Sequence, residues 1–303
     1  MGNSDKTVLV SGATGRQGGA VIRHMRSKGW KLRALTRKTN GYVAQELARQ
    51  GVELVRGDLE DPASLERVVR GVYGIYSVQD FWSVGFRREV QQGKNLADAA
   101  KKAGVGHFVY SSVGGAERNT GILPWETKWE IEKYIHLLGL PATILRPVAF
   151  METYHMLEVE VRLLKGHLVH PVRGDKPYQT IATDDIGAFA ALSFERPKEF
   201  IGMELEIAGS ELTNIEAAEV FSRVLNRPVK FLKLPMLIVK LFMDKEFYKM
   251  SRWFNNGGFK ANVAELRRKY PEVHLHTLEE WLREDGWDKR GLPSFKSPKD
   301  WAP

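Results

Sequence analysis

Glycines stand at positions 12, 15 and 18 in Ser11-Gly12-Ala13-Thr14-Gly15-Arg16-Gln17-Gly18-Gly19, between the apolar run Val8-Leu9-Val10 and the helix-forming Ala20-Val21-Ile22. A strand that runs through such a turn into a helix is built to meet a phosphate. The first glycine permits the tight turn, the second lets a pyrophosphate approach the backbone, and the third lets helix and strand pack closely. Unpaired N–H groups at the helix start then attract the anion. Gly12, Ala13, Thr14, Gly15, Arg16, Gln17 and Gly18 are therefore expected to hold a dinucleotide.

Which dinucleotide is decided where the second strand ends, in Ala34-Leu35-Thr36-Arg37-Lys38. An NAD site usually places Asp or Glu there to accept from the ribose hydroxyls. Two cations stand there instead. Arg37 can fork onto a 2′-phosphate with charge-assisted hydrogen bonds, and Lys38 or Arg16 adds field strength. The expected cofactor is NADP(H).

The elements that must position these residues alternate in the pattern of βαβ units. Strands are predicted over Thr7–Ser11, Lys31–Thr36, Glu53–Gly57, Gly74–Val78, His107–Ser111 and Ala142–Arg146, and helices over Gly18–Lys28, Ala63–Val69, Glu89–Lys102 and Glu126–Leu138. Asp61-Pro62 reads as an N-cap followed by proline at the first helical position. The fold class expected is α/β, a doubly wound parallel Rossmann sheet with a smaller α/β C-terminal lobe. The NAD(P)-binding domain is placed at residues 1–150 and the lobe at 151–303. In the lobe a helix is expected over Met151–Leu164, a Gly/Pro-punctuated stretch over Gly166–Pro177, and a helix opened by Thr183-Asp184-Asp185. A strand over Met203–Ala208 and a helix over Asn214–Leu225 are expected to rejoin the main sheet.

Composition narrows the classes. With 43% hydrophobic and 27% charged residues the chain is of globular type, and the absence of cysteine removes thiol catalysis and disulfides. A cytoplasmic location is expected, since no secretory signal opens the chain and Met1-Gly2-Asn3-Ser4-Asp5-Lys6 puts Lys6 where a myristoylation site needs Ser or Thr. The formal charge of +8 invites a nucleic-acid reading, but cations and acids interleave along the whole chain, so nucleic acid is not expected as a partner. Leu232–Met243 is too short, and too broken by Lys233 and Lys240, to span a membrane. The last dozen residues, rich in Pro and Lys, read as a loose tail.

Further motifs carry a resemblance. Gly57-Asp58-Leu59-Glu60-Asp61, Gln79-Asp80-Phe81-Trp82, Tyr110-Ser111-Ser112, Thr127-Lys128-Trp129-Glu130-Ile131-Glu132 and Arg146-Pro147 with Phe150-Met151-Glu152 follow the glycine loop in order. Together with Thr183-Asp184-Asp185-Ile186-Gly187 and Leu278-Glu279-Glu280-Trp281-Leu282, the chain resembles the NmrA-like family of atypical short-chain dehydrogenase/reductases, which includes animal NADPH-sensing members. The resemblance implies that Asp58 and Leu59 contact adenine, that Gln79, Asp80 and Phe81 line the cofactor after the fourth strand, and that Phe150, Met151, Glu152 and Thr153 flank its nicotinamide end.

The reductases of that superfamily use a serine with a Tyr-x-x-x-Lys helix in which tyrosine donates the proton. Lys128 stands in the lysine position and Ser111 or Ser112 in the serine position, but Pro124 replaces the tyrosine. Proline donates no proton and disfavours a helical residue before it. Two roles for Lys128 stay open: a hydrogen bond to the nicotinamide ribose, or proton donation as in phenylpropanoid and isoflavone reductases. A surface lysine on a Glu-rich helix is the third, inert role. The family implies either a redox-sensing regulator with little turnover or an NADPH-dependent reductase of a quinone-like or aromatic acceptor. The partner is then a small aromatic substrate or a protein, on a monomer or homodimer. His167 with His170, and His274 with His276, lack metal-ligand spacing, so no metal is expected. The Met- and aromatic-rich Met236–Trp253 segment is either a pocket roof, a partner face or a packing helix.

Overall fold

The computed structural model describes residues 5–291; the start of the myristoylation-like segment and the Pro/Lys-rich tail lie outside them. The chain divides between two units. One takes the chain up to Val148 together with Ile181–Ala208 and Phe259–Leu275, and the other takes Ala149–Thr180, Gly209–Gly258 and the chain from His276 onward.

The first unit holds β1 (Thr7–Val10), α1 (Arg16–Arg26), β2 (Lys31–Thr36), α2 (Tyr42–Arg49), β3 (Glu53–Arg56), α3 (Pro62–Val68), β4 (Gly74–Ser77), α4 (Phe81–Val84), α5 (Phe86–Ala103), β5 (His107–Ser111), α6 (Leu123–Leu137) and β6 (Ala142–Pro147). These strands and the strand Glu204–Ile207 form one parallel sheet, in the order Glu204–Ile207, β6, β5, β4, β1, β2, β3. The chain order reverses between β1 and β4. At that switch point the carboxyl ends of a doubly wound sheet leave a crevice for a ligand. Strands β4, β5 and β6 are buried along their whole length, as their near-continuous apolar runs require of strands covered on both faces. Leu9, Ile75, Phe108 and Ile144 from the strands meet Leu65, Leu96, Ile131 and Ile135 from the helices in one core. Each such side chain contributes about 1.5–3 kcal/mol of burial.

Local sequence sets the helix ends. Asp61 caps α3 by accepting from the Ala63 N–H at 3.1 Å, with Pro62 in the first turn. Helix α5 begins at Phe86, three residues before the expected Glu89, the short helix α4 was not expected, and two further helices depart from expectation. Helix α6 begins at Leu123, three residues early, and takes Pro124 into its first turn, where a missing N–H costs nothing. Helix α2 was not expected, because it buries only Ala44 and Leu47 and leaves Tyr42 exposed.

The strands Ala149–Phe150, Pro177–Ile181, which belongs to the second unit up to Thr180, and Ser210–Thr213 form one small sheet, and in the second unit His167–His170 pairs in parallel with Lys230–Lys233. The expected Met151–Leu164 helix is split: Met151–His155 is a 3-10 turn, Met156 is extended, and an α-helix runs from Leu157 to Leu164. The Met236–Trp253 segment is likewise two helices, Met236–Phe242 and Lys245–Asn255, the second capped by Asp244. Among the described residues, no helix is long and apolar enough to cross a membrane.

Candidate cofactor site

The glycine loop is clamped from below. Ser11 Oγ donates to the Val78 carbonyl at 3.0 Å and accepts from the Val78 N–H at 2.8 Å, joining the ends of β1 and β4. Gly12 has φ +59°, and the Gly15 N–H donates to its carbonyl at 2.9 Å. A Cβ on Gly18 would lie 2.3 Å from the Gly12 oxygen, so backbone passes where any other residue has a side chain. No side chain caps α1 and no acid stands in its first turn. A helix start without a side-chain cap or an acid fits the pyrophosphate of a dinucleotide.

At the end of β2, Arg37 and Lys38 are exposed, on a turn in which the Lys38 N–H donates to Thr36 Oγ1 at 3.2 Å. The structure brings an acid into range. Glu60 is held by Arg88 and Gln92, each at 2.7 Å; these bonds, then the charges of Arg88 and Arg37, keep its carboxyl below the usual range. Arg88 and Gln92 share one Glu60 oxygen, and Arg37 makes no bond to it. A guanidinium so placed can accept a phosphate partner.

The loop after β3 is fixed through its backbone. The Asp58 N–H donates to Ser64 Oγ at 3.0 Å, Asp58 Oδ1 accepts from the Glu60 N–H at 3.0 Å, and Asn95 Nδ2 donates to the Leu59 carbonyl at 2.8 Å. After β4, Gln79 is buried, donates to Ser77 Oγ at 3.0 Å, and leaves its buried Oε1 without a partner. Asp80 caps α4 by accepting from the Trp82 N–H at 3.0 Å. Phe81 packs on Trp82 and Phe86, with ring centroids 4.5 and 5.2 Å apart, while Trp82 itself is 81% exposed.

Behind the crevice, Gln17 Oε1 accepts from both Tyr76 Oη at 3.0 Å and Ser111 Oγ at 2.7 Å. Burial raises the Tyr76 phenol, so that hydroxyl stays a donor. Ser112 donates to Glu132, which pairs with Arg146 at 2.6 Å; the net effect of burial over Arg146 and Ser112 raises the Glu132 carboxyl.

Lys128 is not a surface residue: 8% of it is exposed. Its Nζ lies 2.7 Å from Oε1 of the fully buried Glu89, donates to the Gln79 carbonyl at 3.0 Å, and stands 5.9 Å from the Tyr110 ring centroid. The crevice-side residues 12–18, 37–38, 58–59, 79–81, 111 and 128 all belong to the first unit. Phe150, Met151, Glu152 and Thr153 open the second, in the strand Ala149–Phe150 and the 3-10 turn after it; Met151 and Glu152 are buried, and Thr153 Oγ1 donates to the Phe150 carbonyl at 2.7 Å.

The family model described as "NmrA-like family" matches residues 4–282. The chain belongs to the NmrA-like family. An NmrA-like family domain-containing protein of Dictyostelium discoideum is 27% identical over 92% of this chain and 97% of its own length. The nitrogen metabolite repression protein nmrA of Emericella nidulans is 28% identical over 80% of this chain and 72% of that protein. Among solved structures, an NADPH-dependent quinone oxidoreductase of Escherichia coli, complexed with NADPH, superposes with TM-score 0.79 over 91% of this chain and 99% of that one, at 22% identity. At that identity the likeness speaks for the fold.

In this NmrA-like chain the residues that sequence reasoning passed over lie mostly on α5. Glu89, Gln92 and Asn95 are buried and bond, in turn, to Lys128, Glu60 and the Leu59 carbonyl. Their i, i+3 recurrence was a visible signal, but polar residues at helical spacing usually mark a solvated face. Tyr76 gave no signal beyond its place in a strand, and Arg146 was read only as part of the Arg146-Pro147 motif, without its pairing to Glu132.

Proposed function

We propose that this chain binds NADP(H) and works as a redox-sensing regulatory protein with little or no dehydrogenase turnover. The glycine cradle would take the pyrophosphate, Arg37 and Lys38 the 2′-phosphate, and Lys128 a ribose hydroxyl. One observation carries the regulatory reading: Pro124 lies buried in the first turn of α6, four residues before Lys128, where the reductases need a hydroxyl donor. The name of the Emericella relative agrees with a regulatory role. A cysteine-free chain suits the cytoplasm, where NADPH occupancy would change which protein the chain binds.

The exposed Trp82 beside Phe81 favours a second reading, an NADPH-dependent reductase of a flat, quinone-like acceptor that stacks on such a surface. The bound cofactor would supply a hydride to the acceptor, and Lys128 or water the proton that completes the hydroquinone. A quinone needs little help with protonation, so the absent tyrosine costs less there.

Loss of reduced-nicotinamide absorbance, measured against quinones, aromatic aldehydes and enones, separates the two. The regulatory reading expects NADPH binding without turnover. Robust turnover with any acceptor would contradict it. If Lys128→Met then lowered the rate by about a hundredfold or more at saturating NADPH, Lys128 would be the proton donor.

A further inference from the structure

Glu89 is a charged residue with no exposed surface, in the first turn of α5, and both of its carboxylate oxygens go to consecutive residues of α6. Oε2 accepts from Thr127 Oγ1 at 2.7 Å and Oε1 lies 2.7 Å from Lys128 Nζ. Burying a carboxylate is costly unless it is paired and hydrogen-bonded, and a lone stability role could be filled by apolar packing at less cost. The arrangement does more than neutralise a charge. An ammonium has three N–H donors. The Gln79 carbonyl, at the exit of β4, takes one, and Glu89 Oε1 holds the ammonium from another side as an ion pair at 2.7 Å. With Nζ held by one hydrogen bond and one ion pair, the ammonium can no longer sweep a cone, and its remaining N–H donors have fixed directions.

We propose that Glu89 is the positioning residue of the cofactor site: its ion pair fixes Lys128 so that an N–H is aimed at an oxygen of bound NADP(H). This rests on the reading that Lys128 contacts the dinucleotide. The Thr127 bond supports it, because it orients the carboxylate from the residue next to the lysine and would be superfluous for charge balance alone. Residues aligned with Glu89 on α5 do the same for the loop after β3, through Gln92 on Glu60 and Asn95 on Leu59.

The test is a double-mutant cycle in NADPH affinity, by calorimetry on the full chain, with thermal unfolding recorded beside it. Lys128→Met is expected to weaken NADPH binding about tenfold or more, the loss of one charge-assisted hydrogen bond. Glu89→Gln is expected to weaken it severalfold, and the double variant to bind no more weakly than Lys128→Met alone. Glu89→Asp, which keeps the charge, should recover part of the loss. A purely structural Glu89 would produce the same loss with or without Lys128, and that result overturns the proposal. So does unchanged affinity in Glu89→Gln when Lys128→Met is impaired. If Lys128→Met binds NADPH like the wild type, the underlying reading of Lys128 has failed, and the positioning role with it. Should Glu89→Gln not fold, Glu89→Asp carries the same comparison: weaker binding with Lys128 present, and no further loss in the Lys128→Met background.

Discussion

The buried Ser11 hydroxyl bonds both the N–H and the carbonyl of Val78, at 2.8 and 3.0 Å, so one side chain ties the glycine loop to the exit of β4. Ser11→Ala leaves the Val78 N–H without that acceptor and is expected to cost about 1–3 kcal/mol of stability. NADPH affinity should fall with it, because both loops border the crevice. Urea unfolding with and without NADPH measures both effects, and an unchanged midpoint would show that the clamp is dispensable.

Neighbouring glycines in α1 should behave oppositely. A Cβ on Gly18 would meet backbone at 2.3 Å, whereas one on Gly19 would find its nearest neighbour at 3.7 Å. Gly18→Ala should therefore displace the loop and abolish NADPH binding. Gly19→Ala should bind normally and gain up to about 1 kcal/mol from helix propensity. Equal behaviour of the two variants, read by calorimetry and thermal melts, would mean that the loop is not held as described.

His107 is fully buried, and desolvation lowers it from 6.5 to about 4. Because Thr143 Oγ1 donates to the Phe200 carbonyl at 2.8 Å, it accepts from His107 Nε2, also at 2.8 Å, leaving Nδ1 buried, unprotonated and unpartnered. Between pH 6.5 and 4 the unfolded chain binds a proton that the folded chain refuses, so this stability is present above about pH 6.5 and is lost as pH falls toward 4. The loss approaches about 3 kcal/mol for this residue. His107→Gln, which keeps the donor to Thr143, should flatten the unfolding free energy across that window relative to wild type. An identical pH profile in the two proteins would remove His107 as the cause.

These residues also show what the sequence could and could not disclose. The strand, glycine turn and helix around Gly12–Gly18 were legible because phosphate binding and backbone geometry demand glycine at fixed places, and β4, β5 and β6 were legible because strand-like runs alternating with amphipathic helices mark a parallel sheet. The single Met151–Leu164 helix was wrong at Met156, where apolar spacing continues across a backbone break. For Lys128 a surface place stayed open as an alternative to a functional one, since its partner Glu89 lies far away in sequence on another helix. Helical periodicity reports which face is apolar, and it is silent on which buried polar groups find one another across elements.

The central claim is that Arg37 and Lys38 select the phosphorylated dinucleotide. Titration calorimetry of NADPH and NADH on wild type and Arg37→Ala tests it most directly. Wild type should bind NADPH more tightly by about tenfold to a hundredfold, the worth of one charged hydrogen-bonded contact of about 1.5–3 kcal/mol, and Arg37→Ala should lose most of that preference while its NADH affinity stays put. Equal affinity of the wild type for both cofactors would contradict the account.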